Sequence, residues 1–169
     1  VADYSTDVRT NYARQTVTTV EGKIFLENIT LHQEVFGPFS MVVECESAEQ
    51  LKVVVSKLEG QLTGTLIAED DEASSYADVI EALQKRVGRI IFNGVPTGVE
   101  VCPSMQHGGP YPASTDSRFS AVGIHSIKRW VRPFSYQDWP NNLLPEELKN
   151  DNPLGILRLV NNKSTTHKI

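Results

Sequence analysis

The chain has 169 residues, 40% of them hydrophobic and 22% charged, with a net charge of −5 and a pI near 5.4. That length is enough for one domain with a real core, and the acidic balance excludes nucleic acid as the main partner, since phosphate binding needs a basic face. No apolar run approaches the ~18 residues of a membrane span. Two isolated cysteines, Cys45 and Cys102, have neither CxxC nor metal-ligand spacing, which suits a reducing, cytoplasmic compartment and names no metal site.

The chain opens at Val1 in polar, half-periodic sequence with no charged-then-apolar leader, so it reads as a piece of a longer protein. Val17 and Val20 among threonines predict a strand turning at 21–23, then a helical turn at 24–26. Residues 32–38 run from polar to aromatic and close on Gly37-Pro38, which stops regular structure. Residues 39–45 predict a buried strand. Ser47 and Gln50 form a capping box for a helix whose apolar face is Leu51, Val54, Val55 and Leu58 and which Gly60 ends.

A second strand is expected over 62–68. Asp70 and Asp71 favour a helix start, and Tyr76, Ile80, Leu83 and Val87 keep helical spacing up to Gly88. Residues 89–92 complete a βαβαβ run, which predicts an α/β fold with one parallel sheet and right-handed crossovers. Ser117 or Ser120 is placed to cap a further helix through Ala121, Ile124, Ile127, Trp130 and Val131, ended by Pro133. Residues 134–139 are aromatic and extended. A short helix is expected near 145–148, and Leu154, Ile156, Leu157, Leu159 and Val160 form a late apolar patch.

Between these elements lies a long irregular stretch, 93–114, with four of the chain's glycines and four of its prolines. Its valines, Met105 and Tyr111 make it too apolar for a solvated linker. Gly108-Gly109 lets backbone approach closely, Pro110 and Pro112 stiffen the residues after them, and the result is a rigid wall presenting His107. In open parallel sheets ligands bind beyond the carboxyl ends of strands, where this loop begins.

Taken together, Gln33-Glu34-Val35-Phe36-Gly37-Pro38, the βαβαβ run, Phe92-Asn93 and the Gly-Gly loop resemble the C-terminal part of an NAD(P)-dependent aldehyde dehydrogenase, from about residue 12 to about 158. The runs from Phe92 to Cys102 and from His107 to Ser114 are similar to the branch containing NADP-dependent fatty aldehyde dehydrogenase and α-ketoglutaric semialdehyde (2,5-dioxopentanoate) dehydrogenase. His107 stands where the wider family has Phe before the Gly-Gly pair, no Lys follows, and Ser114 precedes Thr115.

The resemblance implies a catalytic-domain fragment covering 1–169, with an extended tail from about 134 near a homodimer contact. The family's nucleophilic Cys, its general-base Glu and nearly all of its cofactor domain lie upstream, outside this chain. It further implies that Glu34 accepts from the nicotinamide ribose hydroxyls of NADP (or NAD), with Phe36 beside it. Asn93, Thr97 and Val99 then line the aldehyde tunnel with His107, whose place beside the thiol leaves three roles open: assisting the thiol, accepting a hydrogen bond from substrate, or filling the volume of the Phe it replaces. The implied reaction is aldehyde to acid through a Cys thiohemiacetal and thioester. Implied partners are the aldehyde and the missing N-terminal part. Two alternatives stay open: a non-catalytic association fragment, and a thiol hydrolase using Cys102 with His107 or His125 as base.

Overall fold

The computed structural model describes residues 2–3, 13–96 and 98–169. The chain divides into two compact units, Val1–Val131 and Arg132–Ile169. In the first, β1 (Ala2–Asp3) pairs antiparallel with β2 (Thr16–Glu21), and β2 runs parallel to β3 (Phe39–Glu44), from Thr16 opposite Phe39 to Glu21 opposite Glu44. Separately, β4 (Gln61–Leu66) runs parallel to β5 (Val87–Phe92). Three helices connect these strands: α1 (Gly22–Glu27), α2 (Ala48–Lys57) and α3 (Ala77–Gln84).

The α/β class and the parallel pairing hold, but the single βαβαβ sheet does not. Among the described residues no ladder joins β3 to β4, so two parallel pairs stand where one sheet was expected. Connecting helices dictate that the strands run parallel; they do not dictate which strand lies beside which.

Local chemistry explains most boundaries. The Ser47 side chain accepts from the Gln50 N–H at 3.2 Å, and Gln50 Oε1 accepts from the Glu46 N–H at 2.8 Å, a capping box shifted by one residue. Asp70 and Asp71 do not open α3; a 3-10 turn over Ala73–Tyr76 precedes it. Val87 is not the last helical residue but the first of β5, where it is buried with Phe25, Val54, Val79 and Ala82. Phe25 stacks on His32 with ring centroids 4.4 Å apart, and His32 Nε2 donates to the Phe25 carbonyl at 2.8 Å. The expected helix beyond Ser120 is a 3-10 turn, Ile124–Trp130, entered through Gly123 at φ 94°.

The second unit is held by polar ties. Its hairpin joins β6 (Arg158–Val160) to β7 (Lys163–Thr165) through Asn161 and Asn162, both in the left-handed region that such tight turns require. Buried Asn152 donates to the Ile156 and Thr166 carbonyls and accepts from the Ile156 N–H. Arg158 donates to the carbonyls of Lys149, Asn150 and His167. The short helix expected near 145–148 is a 3-10 turn, Glu146–Leu148. Phe134, Tyr136 and Trp139 pack in series, the first pair edge to face with centroids 5.1 Å apart and the second tilted at 55° with centroids 5.7 Å apart. Among the described residues no helix is long and apolar enough to cross a membrane.

Candidate active site

The stretch 93–114 leaves the carboxyl end of β5 and returns along it to the amino end. Asn93 makes the first turn with φ 47°, a conformation Asn tolerates better than most residues. Its N–H donates to the Leu66 carbonyl at 2.9 Å. Its side-chain amide donates to the Ala68 carbonyl at 2.8 Å and accepts from the Ala68 N–H at 3.0 Å. The amide thus continues the β4–β5 ladder by one imitation peptide. Asn93, Gly94 and Val95 face Ile67, Glu69 and Glu72 across an open hollow of about 620 Å³. Val99 is exposed, and Thr97 lies outside the described residues.

At the amino end, backbone meets backbone. A Cβ on Gly60 would stand 2.0 Å from the Pro110 carbonyl oxygen, and one on Gly109 would stand 2.5 Å from that of Gln61. The Gly60 N–H donates to the Tyr111 carbonyl at 3.2 Å. Two serines fasten the loop: Ser114 Oγ donates to the Gly109 carbonyl at 2.6 Å, and buried Ser120 Oγ accepts from the His107 N–H at 3.0 Å. The His107 carbonyl in turn accepts from the Ala121 N–H at 2.8 Å. His107 is therefore fixed at its backbone on both sides. Its Nδ1 is shielded from solvent and has no hydrogen-bond partner among the described residues.

His107 lines a hollow of about 510 Å³ with Leu62, Ser114, Asp116, Phe119 and Arg129. Arg118 forks onto Asp116 through Nε and Nη2, and that pairing lowers the Asp116 carboxyl from 3.8 to about 2. Glu34 lines a second hollow of about 370 Å³ with Gly60, Thr63, Pro112 and Ala113. The two hollows share Leu62 and Ala113. Glu34 and Phe36 also border an apolar groove of about 990 Å³ formed by β3 and α2, lined by Val43, Leu51, Val54 and Leu58. Phe36 is 97% exposed. The hollow of Glu34 thus adjoins that of His107 and, on its other side, Glu34 shares a groove with Phe36, while Asn93 stands at the opposite end of β5.

Among the described residues no hydrogen bond joins either cysteine side chain to an imidazole. Burial pushes the Cys45 thiol up, away from a reactive thiolate. Cys102 Sγ lies 3.6 Å from Ser104 Oγ, its one hydrogen-bond partner among the described residues. Among those residues no group of three or more His, Cys, Asp or Glu is placed to hold a metal ion.

No family model matches the chain. It is 43% identical, over 145 residues and 86% of its length, to α-ketoglutaric semialdehyde dehydrogenase 2 of Azospirillum brasilense. It is 46% identical, over 134 residues and 79% of its length, to α-ketoglutaric semialdehyde dehydrogenase of Acinetobacter baylyi. The matched stretch is aldehyde dehydrogenase sequence. It spans 28% and 26% of the lengths of those two relatives, a little over a quarter.

Within this aldehyde dehydrogenase stretch the sequence reading missed several residues that build the site. Gly60 and Gly88 read as helix ends, yet they are the floor on which the Gly-Gly loop rests. Ser120 read as a helix cap, yet it is spent on His107 and on the Val122 carbonyl. Arg89 read as an ordinary strand residue, yet it reaches under the loop to Gly98 and Met105. Its signal in the sequence is a cation in the middle of an otherwise apolar strand.

Proposed function

We propose that this chain is the C-terminal part of the catalytic domain of an NAD(P)-dependent aldehyde dehydrogenase, which in the intact protein oxidises an aldehyde to the carboxylic acid. The reading is carried by one juxtaposition: the hollows of Glu34 and His107 adjoin through Leu62 and Ala113. A ribose clamp and an imidazole at the reacting end of an aldehyde belong in such adjacent spaces.

A nicotinamide nucleotide fits the residues present. Glu34 is an exposed carboxylate, an acceptor for two vicinal hydroxyls, and Phe36 two residues on is an exposed ring with a free face to lay beside a ribose. The nucleotide, NADP or NAD, supplies the hydride acceptor. This chain's own part is positional: Glu34 and Phe36 hold the ribose, Asn93, Thr97 and Val99 line the aldehyde's path, and His107 faces the thiol. The thiol and the general base come from sequence outside 1–169. Both relatives are named for α-ketoglutaric semialdehyde, which makes 2,5-dioxopentanoate the first substrate and a long-chain aldehyde the second. The intact enzyme is a cytoplasmic homodimer in this reading, with the exposed ring series of Phe134, Tyr136 and Trp139 at a subunit contact.

A second reading has its own observation. No large side chain among the described residues is fully buried, while Phe36 and Trp130 stand 97% and 79% exposed. Faces of that kind mark interaction surfaces, so 1–169 alone is an association piece without catalytic competence. One experiment tests both. The intact protein is expected to reduce NAD or NADP with 2,5-dioxopentanoate, and purified 1–169 to reduce neither. Reduction by 1–169 that depends on Cys102 would overturn the assignment of the nucleophile to the missing part.

A further inference from the structure

We infer that Arg89 is the positioning residue for the aldehyde-facing loop, an assignment that rests on the function proposed above. Residues 94–96 and 98–101 contain no helix or strand, and among the described residues they form one hydrogen bond. That bond comes from Arg89, in the middle of β5, whose Nη1 donates to the Gly98 carbonyl at 3.4 Å. The same nitrogen meets Met105 Sδ at 3.0 Å. One guanidinium thus ties both ends of 98–105 to a rigid strand. Beyond Arg89 the loop has a local turn, in which the Met105 N–H donates to the Cys102 carbonyl at 3.3 Å, the Cys102–Ser104 contact, and close approaches of Gly94 to Ile91 and of Gly123 to Cys102 and Met105.

Stability does not account for Arg89. A guanidinium is a poor occupant of a part-buried strand position unless its donors are paired. Here Nε is shielded and has no partner among the described residues, and no ion pair involving Arg89 is found among them. One acceptor is a thioether, which bonds weakly. A β-branched residue would suit the strand better. What the arginine supplies is reach: one Nη1 at the end of a long stem holds two points of a loop with no ladder of its own. Val99 stands between the two anchored points, so the anchor sets where that wall of the aldehyde path stands.

Two variants of the intact enzyme test this, Arg89→Met, which keeps the apolar stem, and Arg89→Lys, which keeps the charge without the fork. In Arg89→Met the KM for 2,5-dioxopentanoate is expected to rise about fivefold to tenfold, the loss of one or two modest hydrogen bonds. Meanwhile kcat and the Kd for the nicotinamide nucleotide should change less than twofold. A glutamyl endopeptidase should cut after Glu100 faster than in wild type, and Arg89→Lys should recover part of both effects. The inference is overturned if KM and the Glu100 cleavage rate match wild type in both variants. It is equally overturned if KM, kcat, nucleotide affinity and unfolding midpoint all worsen together with cleavage along the whole chain. Should Arg89→Met fail to fold, Arg89→Lys alone decides: unchanged KM and cleavage overturn the anchor, and intermediate values support it. If the wild type oxidises no aldehyde, the proposed function fails on its own, and the cleavage comparison still decides whether Arg89 holds the loop.

Discussion

Gly88 and Gly108 touch backbone to backbone: a Cβ on Gly88 would stand 1.9 Å from the Gly108 carbonyl oxygen. No rotamer relieves such a clash, because the obstacle is main chain on both sides. Gly88→Ala must therefore push the Gly-Gly loop off β5, and overpacking of this kind costs about 1–3 kcal/mol or more. Gly37→Ala is the control, since a Cβ there meets nothing within 4 Å. Urea unfolding of the intact protein should show Gly88→Ala clearly destabilised and Gly37→Ala within about 0.5 kcal/mol of wild type.

For Glu34, the test is the hydride step. Glu34→Gln keeps shape and removes charge, so one charge-assisted hydrogen bond worth about 1.5–3 kcal/mol is weakened. If that bond is used in the transition state, the single-turnover hydride rate falls roughly tenfold to a hundredfold, more than nucleotide affinity does. An unchanged rate would reduce Glu34 to a surface acid.

His107 is tested through the thiol it is proposed to face. Thiol alkylation of the intact enzyme is followed against pH in wild type, His107→Gln and His107→Phe. An imidazole that assists the thiol sustains thiolate at low pH. Both variants should then lose low-pH reactivity. If Phe preserves it, His107 only fills space, and three coincident profiles would remove it from the thiol's activation altogether.

The Asp116–Arg118 pair gives a pH signature. Arg118 holds the Asp116 carboxyl down from 3.8 to about 2. A depressed carboxylate pKa contributes stability fully present above the unfolded value, near pH 4, and lost as pH falls toward 2. Asp116→Asn should therefore be less stable than wild type at neutral pH, and the difference should shrink away between pH 4 and pH 2. The pair is solvent-exposed, so the difference is small and weakens with salt. A gap that persists at pH 2 would trace to something other than this ionisation.

How much of this was legible beforehand depended on whether the decisive contacts were local. Strands β2 and β3, helix α2 with its Ser47 cap, and β5 could be read because alternation, helical spacing and capping act within a few residues. Strand order could not, since the absence of a β3–β4 ladder is a tertiary fact. Val87 has both helical spacing and a β-branched side chain, and pairing with Gln61 decided for the strand. Gly123 broke the helix expected after Ser120 by taking a left-handed turn. At the site, Glu34, Phe36 and His107 were visible as residue types within specific motifs. The floor of Gly60 and Gly88 and the reach of Arg89 were not, because each concerns what lies opposite in space rather than alongside in sequence.

Strand β5 also works as a ruler. Gly88 abuts the loop beside His107, and Asn93 closes the other end, five residues on. At roughly 3.3 Å per residue, that is about 16 Å of fixed separation. A five-carbon dioxo acid is far shorter, so no single molecule of it can touch both ends at once. If it is the substrate, Asn93 marks the doorway and His107 the destination, and a residue other than Asn93 must read its carboxylate. Only a long-chain aldehyde would be measured by the full strand. The choice between the two substrates is therefore a question of length as much as of charge.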